Sequence, residues 1–255
     1  MTQEITDFAK HLADISCEVI RPYFRSNVGV IDKADDSPVT VADRNAEEVM
    51  RKAIEEKYPT HAIFGEEHGV KEGEGTSMWV LDPIDGTRSF ICGAPWFGTL
   101  VAYLEQGVPQ TGVLNIPMMG EQWVGTSAGT TYNGQACQVR TGIGFEEASL
   151  FTTDPELFDV EQRVSFERVK GKVKTVRYGA DCYAYALLAS GHIDLVIEAG
   201  LKPYDVMALV PVIKGAGGIV TGWKGEEVTM DWDGRLLASA TIELHEKALQ
   251  ELAGS

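Results

Sequence analysis

The chain has 255 residues, with 22 Lys and Arg set against 38 Asp and Glu for a formal net charge of −16. That length accommodates one large domain or two small lobes around a substantial core, and the 44% hydrophobic content is ordinary for a soluble globular protein. The acidic excess argues against nucleic acid or an anionic membrane surface as a partner.

Cys17, Cys92, Cys137 and Cys182 are scattered with no C-x-x-C pair, so four reduced thiols are expected rather than a zinc knuckle or a disulfide framework. The N-terminus lacks a basic segment followed by an apolar core, and no apolar run approaches membrane-spanning length. A cytoplasmic protein is the expectation.

In chain order, Ile5, Phe8, Ala9, Leu12, Ala13, Ile15, Val19 and Ile20 recur at a helical period, which predicts an amphipathic helix over 2–25. Residues 28–31 read as a possible strand, and Ser37-Pro38 as a loop. A second helix fits Asn45 to Tyr58, with Ala46, Val49, Met50, Ala53 and Ile54 inward and Pro59 closing it. Ala62-Ile63-Phe64 reads as a short strand, and 68–77 as an exposed Gly-rich loop. From Phe97 to about residue 140 the pattern is β-like throughout, with a turn at Asn133-Gly134. A helical stretch is expected within about 147–171, a strand over 174–177, a helix over 181–191 and a strand over 193–198. Helices over 206–214 and 238–252 then flank a strand-turn-strand.

The stretch Trp79-Val80-Leu81-Asp82-Pro83-Ile84-Asp85-Gly86-Thr87 organises the rest. Met78 to Leu81 predicts a buried strand that stops at Asp82-Pro83, because Pro has no N–H for a central ladder. Two carboxylates three residues apart, followed by Gly and a hydroxyl, suit a hard cation beside a phosphate. The acids supply oxygen ligands, and Gly86 lets backbone N–H groups approach an anion. Taken alone, Asp82 and Asp85 are equally read as turn and cap residues. The same plain reading fits Glu66-Glu67 as a solvated turn and Asp205 as a helix cap.

Together, however, Gly65-Glu66-Glu67, Asp82-Pro83-Ile84-Asp85-Gly86-Thr87, Tyr204-Asp205 with Gly215-Ala216-Gly217-Gly218, and Pro38-Val39-Thr40-Val41-Ala42-Asp43 resemble the inositol-monophosphatase superfamily along nearly the whole chain. The resemblance implies an α/β (α+β layered) sugar-phosphatase fold, an α-β-α-β-α sandwich. Its N-terminal half would span residues 1–140 and its C-terminal half 141–255, with the metals at their junction. It also implies Mg²⁺-dependent hydrolysis of a small-molecule phosphate ester by activated water, and a homodimer.

Carried over by position, Glu66, Asp82 and the Ile84 carbonyl would hold one Mg²⁺. Asp82, Asp85 and Asp205 would hold a second, with Glu66 facing a weaker third. Asp43 and Thr87 would position and deprotonate the water, helped by Glu67. Gly86 and Thr87 amides would hold the phosphate. Clustered carboxylates repel one another and call for cations, which also reverse the local charge for an anionic substrate.

The leaving-group pocket would draw on Gly179, Asp181 and Glu198. Asp181-Cys182, Pro203-Tyr204-Asp205 and Arg88-Ser89-Phe90 depart from inositol-specific members and look like the histidinol-phosphate phosphatase branch, whose product feeds histidine biosynthesis. Asp181 suits an amine through a charge-assisted hydrogen bond, or else caps the helix after it. Arg88 fits either a phosphate contact or a structural ion pair. An inositol-1-phosphatase is the alternative enzyme. A metal-binding regulatory module, or a structural subunit whose acids are only caps, are the alternatives outside enzymes. No basic cluster offers a site for a second phosphate.

Overall fold

A computed structural model describes residues 2–26, 30–32 and 38–254, with backbone alone at 2, 30–32 and 38–40. In chain order its helices are α1 (Thr2–Ile20), α2 (Val41–Lys57), α3 (Thr87–Ile91), α4 (Val160–Lys170), α5 (Tyr183–Ala189), α6 (Pro203–Val206), α7 (Leu209–Gly215) and α8 (Ile242–Ala253). Its strands are β1 (Val30–Asp32), β2 (Pro38–Thr40), β3 (Ala62–Gly65), β4 (Gly69–Lys71), β5 (Ser77–Asp85), β6 (Gly98–Glu105), β7 (Val108–Ile116), β8 (Glu121–Thr126), β9 (Gly129–Tyr132), β10 (Gln135–Cys137), β11 (Ser149–Thr152), β12 (Thr175–Tyr178), β13 (Leu195–Glu198), β14 (Ile219–Thr221) and β15 (Leu236–Ser239).

Strands β3 to β10 form an eight-stranded sheet in the order β10-β9-β8-β7-β6-β5-β3-β4, and β11 to β15 a five-stranded one ordered β12-β11-β13-β15-β14. Both sheets are covered on both faces, because their inner strands alternate between two cores. Trp79 and Leu81 of β5 pack with Phe8 and Leu12 of α1 and Met50 and Ile54 of α2. Val80 between them turns to the opposite core, which also holds α5, α7 and Val196 and Ala238 of the second sheet. The far face of that second sheet, through Leu150, Leu195 and Leu237, is closed by Phe166 of α4 and Leu244 of α8. The result is an α-β-α-β-α sandwich, the layered mixed fold expected. Helix α7 lies so close to β7 and β8 that a Cβ at Gly112 would strike the Ala208 carbonyl, and one at Gly125 the backbone of Pro211. Among the described residues no helix is long and apolar enough to cross a membrane.

Several local expectations are corrected. β5 does not stop at Asp82-Pro83 but runs to Asp85, because a bulge places Asp82 opposite Leu100 and Asp85 opposite Gly98. The bulge relieves Pro83 of its ladder duty, and Thr99 Oγ1 donates to the Pro83 carbonyl at 2.7 Å instead. The 68–77 loop contains β4, which pairs with β3. The helical stretch expected within 147–171 is α4, and it is preceded by a strand, β11, that the pattern does not signal. The helix expected over 206–214 is split into α6 and α7. Pro211 would clash with the Met207 carbonyl inside a continuous helix, and it is tolerated here in the first turn of α7. Ala238 belongs to β15, and the last helix starts at Ile242. α2 begins at Val41, four residues before the expected start at Asn45. The strand expected over 28–31 and the loop at Ser37-Pro38 fall partly outside the described residues, within which Val30–Asp32 pairs with Pro38–Thr40.

Candidate metal and phosphate site

The site grows from one parallel strand pair. β3 and β5 run side by side with Gly65 opposite Leu81, so the residues that follow, Glu66 and Asp82, emerge together at the same sheet end. The Glu66 amide donates to the Leu81 carbonyl at 3.2 Å and fixes that turn to β5. Period-2 alternation sends Asp82 to the face opposite Leu81, where Asp205 arrives on α6. One oxygen from each of Asp82, Asp85 and Asp205 lies within 4.8 Å of the others, and the same holds for Asp43, Glu66 and Glu67. Asp43 is fully buried in the first turn of α2.

These acids act on one another. Burial first, then the charges of Glu66, Asp85, Asp205 and Asp43, pushes the Asp82 carboxyl well above the ordinary carboxylate range. Asp85 is raised by burial and by Asp181 and Asp205, against hydrogen bonding from Cys182, whose amide donates at 2.7 Å. Asp205 is pushed up to about 7, mainly by burial, although its carboxylate accepts from the Lys202 amide at 2.6 Å. Asp205 is thus not the N-cap before Val206 that the plain reading suggests: it lies inside α6, bonds back to the Lys202 amide that precedes the helix, and shares the acidic cluster at the same time.

The donor set fits a hard cation: all carboxylate, with Asp82 Oδ1 buried and lacking a hydrogen-bond donor among the described residues. A buried carboxylate oxygen that faces other carboxylates is costly unless a cation or proton intervenes. Arg44 Nε lies 3.6 Å from Glu67 Oε2.

Past Asp85, Gly86 adopts the left-handed conformation (φ 83°) and opens the five-residue helix α3. Thr87 Oγ1 donates to the Ile84 carbonyl at 3.1 Å, linking two residues singled out in the sequence. A Cβ on Gly86 would lie 2.7 Å from Asp181 Oδ2, so only Gly permits this approach. Asp181 does not cap α5; Ser89 Oγ donates to its Oδ2 at 2.5 Å instead. Burial raises the Asp181 carboxyl, while the Ser89 bond and the Arg88 charge hold it down, which gives exposed Arg88 an electrostatic partner. Gly179, Ala180 and Asp181 all have positive φ (84°, 88° and 46°), an unusual run that turns the chain back over Gly86.

Beside Asp85 and Asp205 opens a cleft lined also by Thr153, Asp154, Asp181 and Glu198. Among the described residues no Lys or Arg lines it. Glu198 is buried and accepts from Thr153 N (2.9 Å), Thr153 Oγ1 (2.5 Å) and Tyr185 OH (3.1 Å). Burial pushes its carboxyl up to about 7. Gly179 and Arg88 do not line the cleft, and a Cβ on Gly179 would meet nothing within 4 Å.

The model of the inositol monophosphatase family matches residues 1–255. The chain belongs to that family. Its members are metal-dependent phosphatases, phosphoric monoester hydrolases. Among relatives of this family member, the bifunctional phosphatase IMPL2, chloroplastic, of Arabidopsis thaliana is 49% identical, over 94% of this chain and 72% of the relative. A histidinol-phosphatase of Chlorobaculum parvum is 35% identical, over 94% and 93%. The structure of an inositol monophosphatase from Zymomonas mobilis superposes with a TM-score of 0.90 at 42% identity, covering 98% of each chain.

Two residues of this family member were missed in the sequence. Glu47, fully buried on α2, accepts from the Glu67 amide at 2.7 Å, and Ser89 holds Asp181. Glu47 was detectable: it lies four residues after Asp43 and seven before Ile54, on the inward stripe of its helix. Ser89 carried no such signal, since its partner is 92 residues away.

Proposed function

We propose that this protein is a Mg²⁺-dependent phosphomonoesterase whose preferred substrate is L-histidinol phosphate, releasing L-histidinol. The observation that carries the reading is a cleft continuous with the acidic cluster and lined by Asp154, Asp181 and Glu198, with no basic residue in its lining among the described residues. An ammonium or imidazolium on the leaving group is complementary to that lining, whereas an uncharged polyol gains less from it. The relative from Chlorobaculum parvum named histidinol-phosphatase supports the same choice. Inositol 1-phosphate is the second reading, supported by the name of the 42%-identical solved structure.

In this reading Glu66, Asp82 and the Ile84 carbonyl hold one cation and Asp82, Asp85 and Asp205 another, with Glu66 facing a third. Bound Mg²⁺ supplies charge neutralisation and acidifies water. Thr87 would work with Asp43 to position the attacking water, Asp43 taking up its proton, and Glu67 would help to orient it. The Gly86 and Thr87 amides hold phosphate oxygens, and Arg88 tempers the charge of Asp181. Gly179 acts by shaping the turn that presents Asp181, while Asp181 and Glu198 face the alcohol. Halves 1–140 and 141–255 work as one unit, in a cytoplasmic homodimer.

The test is released phosphate from histidinol phosphate, inositol 1-phosphate and β-glycerophosphate, with Mg²⁺ or EDTA. The expected result is a preference for histidinol phosphate of at least about tenfold in kcat/KM, roughly 1.4 kcal/mol in the transition state, and no turnover in EDTA. Equal rates, or inositol phosphate ahead, would overturn the substrate assignment.

A further inference from the structure

The turn that carries Glu66 and Glu67 is held from beneath by a carboxylate that no motif contains. Glu47 projects from α2 one turn after Asp43 and is wholly buried. Its Oε2 accepts from the Glu67 amide at 2.7 Å, and its Oε1 accepts from the His68 amide at 3.1 Å. Arg51, one helical turn further on, donates Nε to Oε1 at 2.6 Å and a terminal N–H to the Gly69 carbonyl. One ion pair thus spans the turn from residue 67 to 69. Gly65 completes the fit, because a Cβ there would overlap the Glu47 carboxylate.

We infer that Glu47 is a positioning residue for the metal site, a preformed anchor that sets where the Glu66 and Glu67 carboxylates point before any cation arrives. Two backbone N–H groups on successive residues, both bonded to one fixed carboxylate, set the 66–67 and 67–68 peptide planes and hence the directions in which Glu66 and Glu67 leave the backbone. Arg51 neutralises the buried charge, so Glu47 adds a fixed acceptor without a further uncompensated anion beside Asp43 and Glu66. Without the anchor, each acid must be ordered by the cation itself, at the cost of binding free energy. The inference rests on the reading of Glu66 as a metal ligand.

The test is calorimetric titration of the metal-free full-length protein with Mg²⁺, for the unsubstituted chain, Glu47→Gln, Gly65→Ala and the double variant. Gly65→Ala keeps Glu47 but displaces its carboxylate, so it should reproduce the lesion by a separate route. Each single variant is expected to weaken Mg²⁺ binding by about tenfold or more. The double variant should lose no more than the worse single one, since both remove one contact. At saturating Mg²⁺, kcat should fall while KM for the ester stays within about twofold. Folded variants with unchanged Mg²⁺ affinity, altered only in melting temperature, would overturn the inference. Unsubstituted protein that binds no Mg²⁺ would instead overturn the metal-site reading beneath it. Should Glu47→Gln not fold, amide exchange in the unsubstituted metal-free protein decides. Protected Glu67 and His68 amides support the anchor, and amides exchanging like an open turn contradict it.

Discussion

The two acidic regions of the molecule are built in opposite ways. Around Glu66, Asp82 and Asp85 the carboxylates stand at the ends of paired inner strands, and the Glu66-Glu67 turn is clamped by the buried Glu47–Arg51 pair. Around Asp181 the carboxylate stands on a run of left-handed residues, Gly179 to Asp181, secured by Ser89 and by the Cys182 amide on Asp85. The first region is rigid because ladder hydrogen bonds and core packing fix it. The second stores backbone strain in order to lean over Gly86. The contrast teaches that Glu66, Asp82 and Asp85, assigned to phosphate chemistry, are held by the scaffold, whereas Asp181, assigned with the strand-borne Glu198 to the alcohol, sits on a connection.

The largest effect expected from breaking that contrast is at the shared acid. Asp82→Asn removes an oxygen ligand from the middle of the cluster and should lower kcat/KM by more than about 100-fold on every phosphate ester, as measured by phosphate release. A loss confined to one substrate would mean that Asp82 recognises the alcohol. Asp181→Asn should act selectively. It is expected to lower kcat/KM for histidinol phosphate about tenfold, near 1.4 kcal/mol, and to leave β-glycerophosphate within about threefold. Equal losses on both substrates would assign Asp181 to the phosphate side. Smallest of all, Ala180→Gly relieves a non-glycine residue at φ 88° and should raise stability by roughly 0.5–1 kcal/mol in urea unfolding. A loss of stability there would show that the turn is not strained.

The same division explains what could be read from the chain alone. Glu66, Asp82, Asp85 and Asp205 were legible because each follows an apolar element within a short local motif, and the layered fold followed from the resemblance those motifs carry. Glu47 is hard to single out from sequence because a charged residue in an amphipathic helix ordinarily faces water. β11 escapes the sequence because Ser149–Thr152 is a short parallel strand whose residue types neither alternate nor flank a hairpin turn. The break between α6 and α7 was hidden by a continuous apolar run, although Pro211 marked it. The Asp181–Ser89 bond joins residues far apart in sequence, and nothing local announces it.

Calorimetric titration of the metal-free protein with Mg²⁺ at physiological ionic strength, alongside Asp82→Asn, tests most directly whether the gathered carboxylates form a cation cage. Saturable binding by the unsubstituted protein, lost in Asp82→Asn and accompanied by Mg²⁺-dependent phosphate release, is the predicted result. Equal heats from both proteins, with phosphate release undiminished in EDTA, would contradict it.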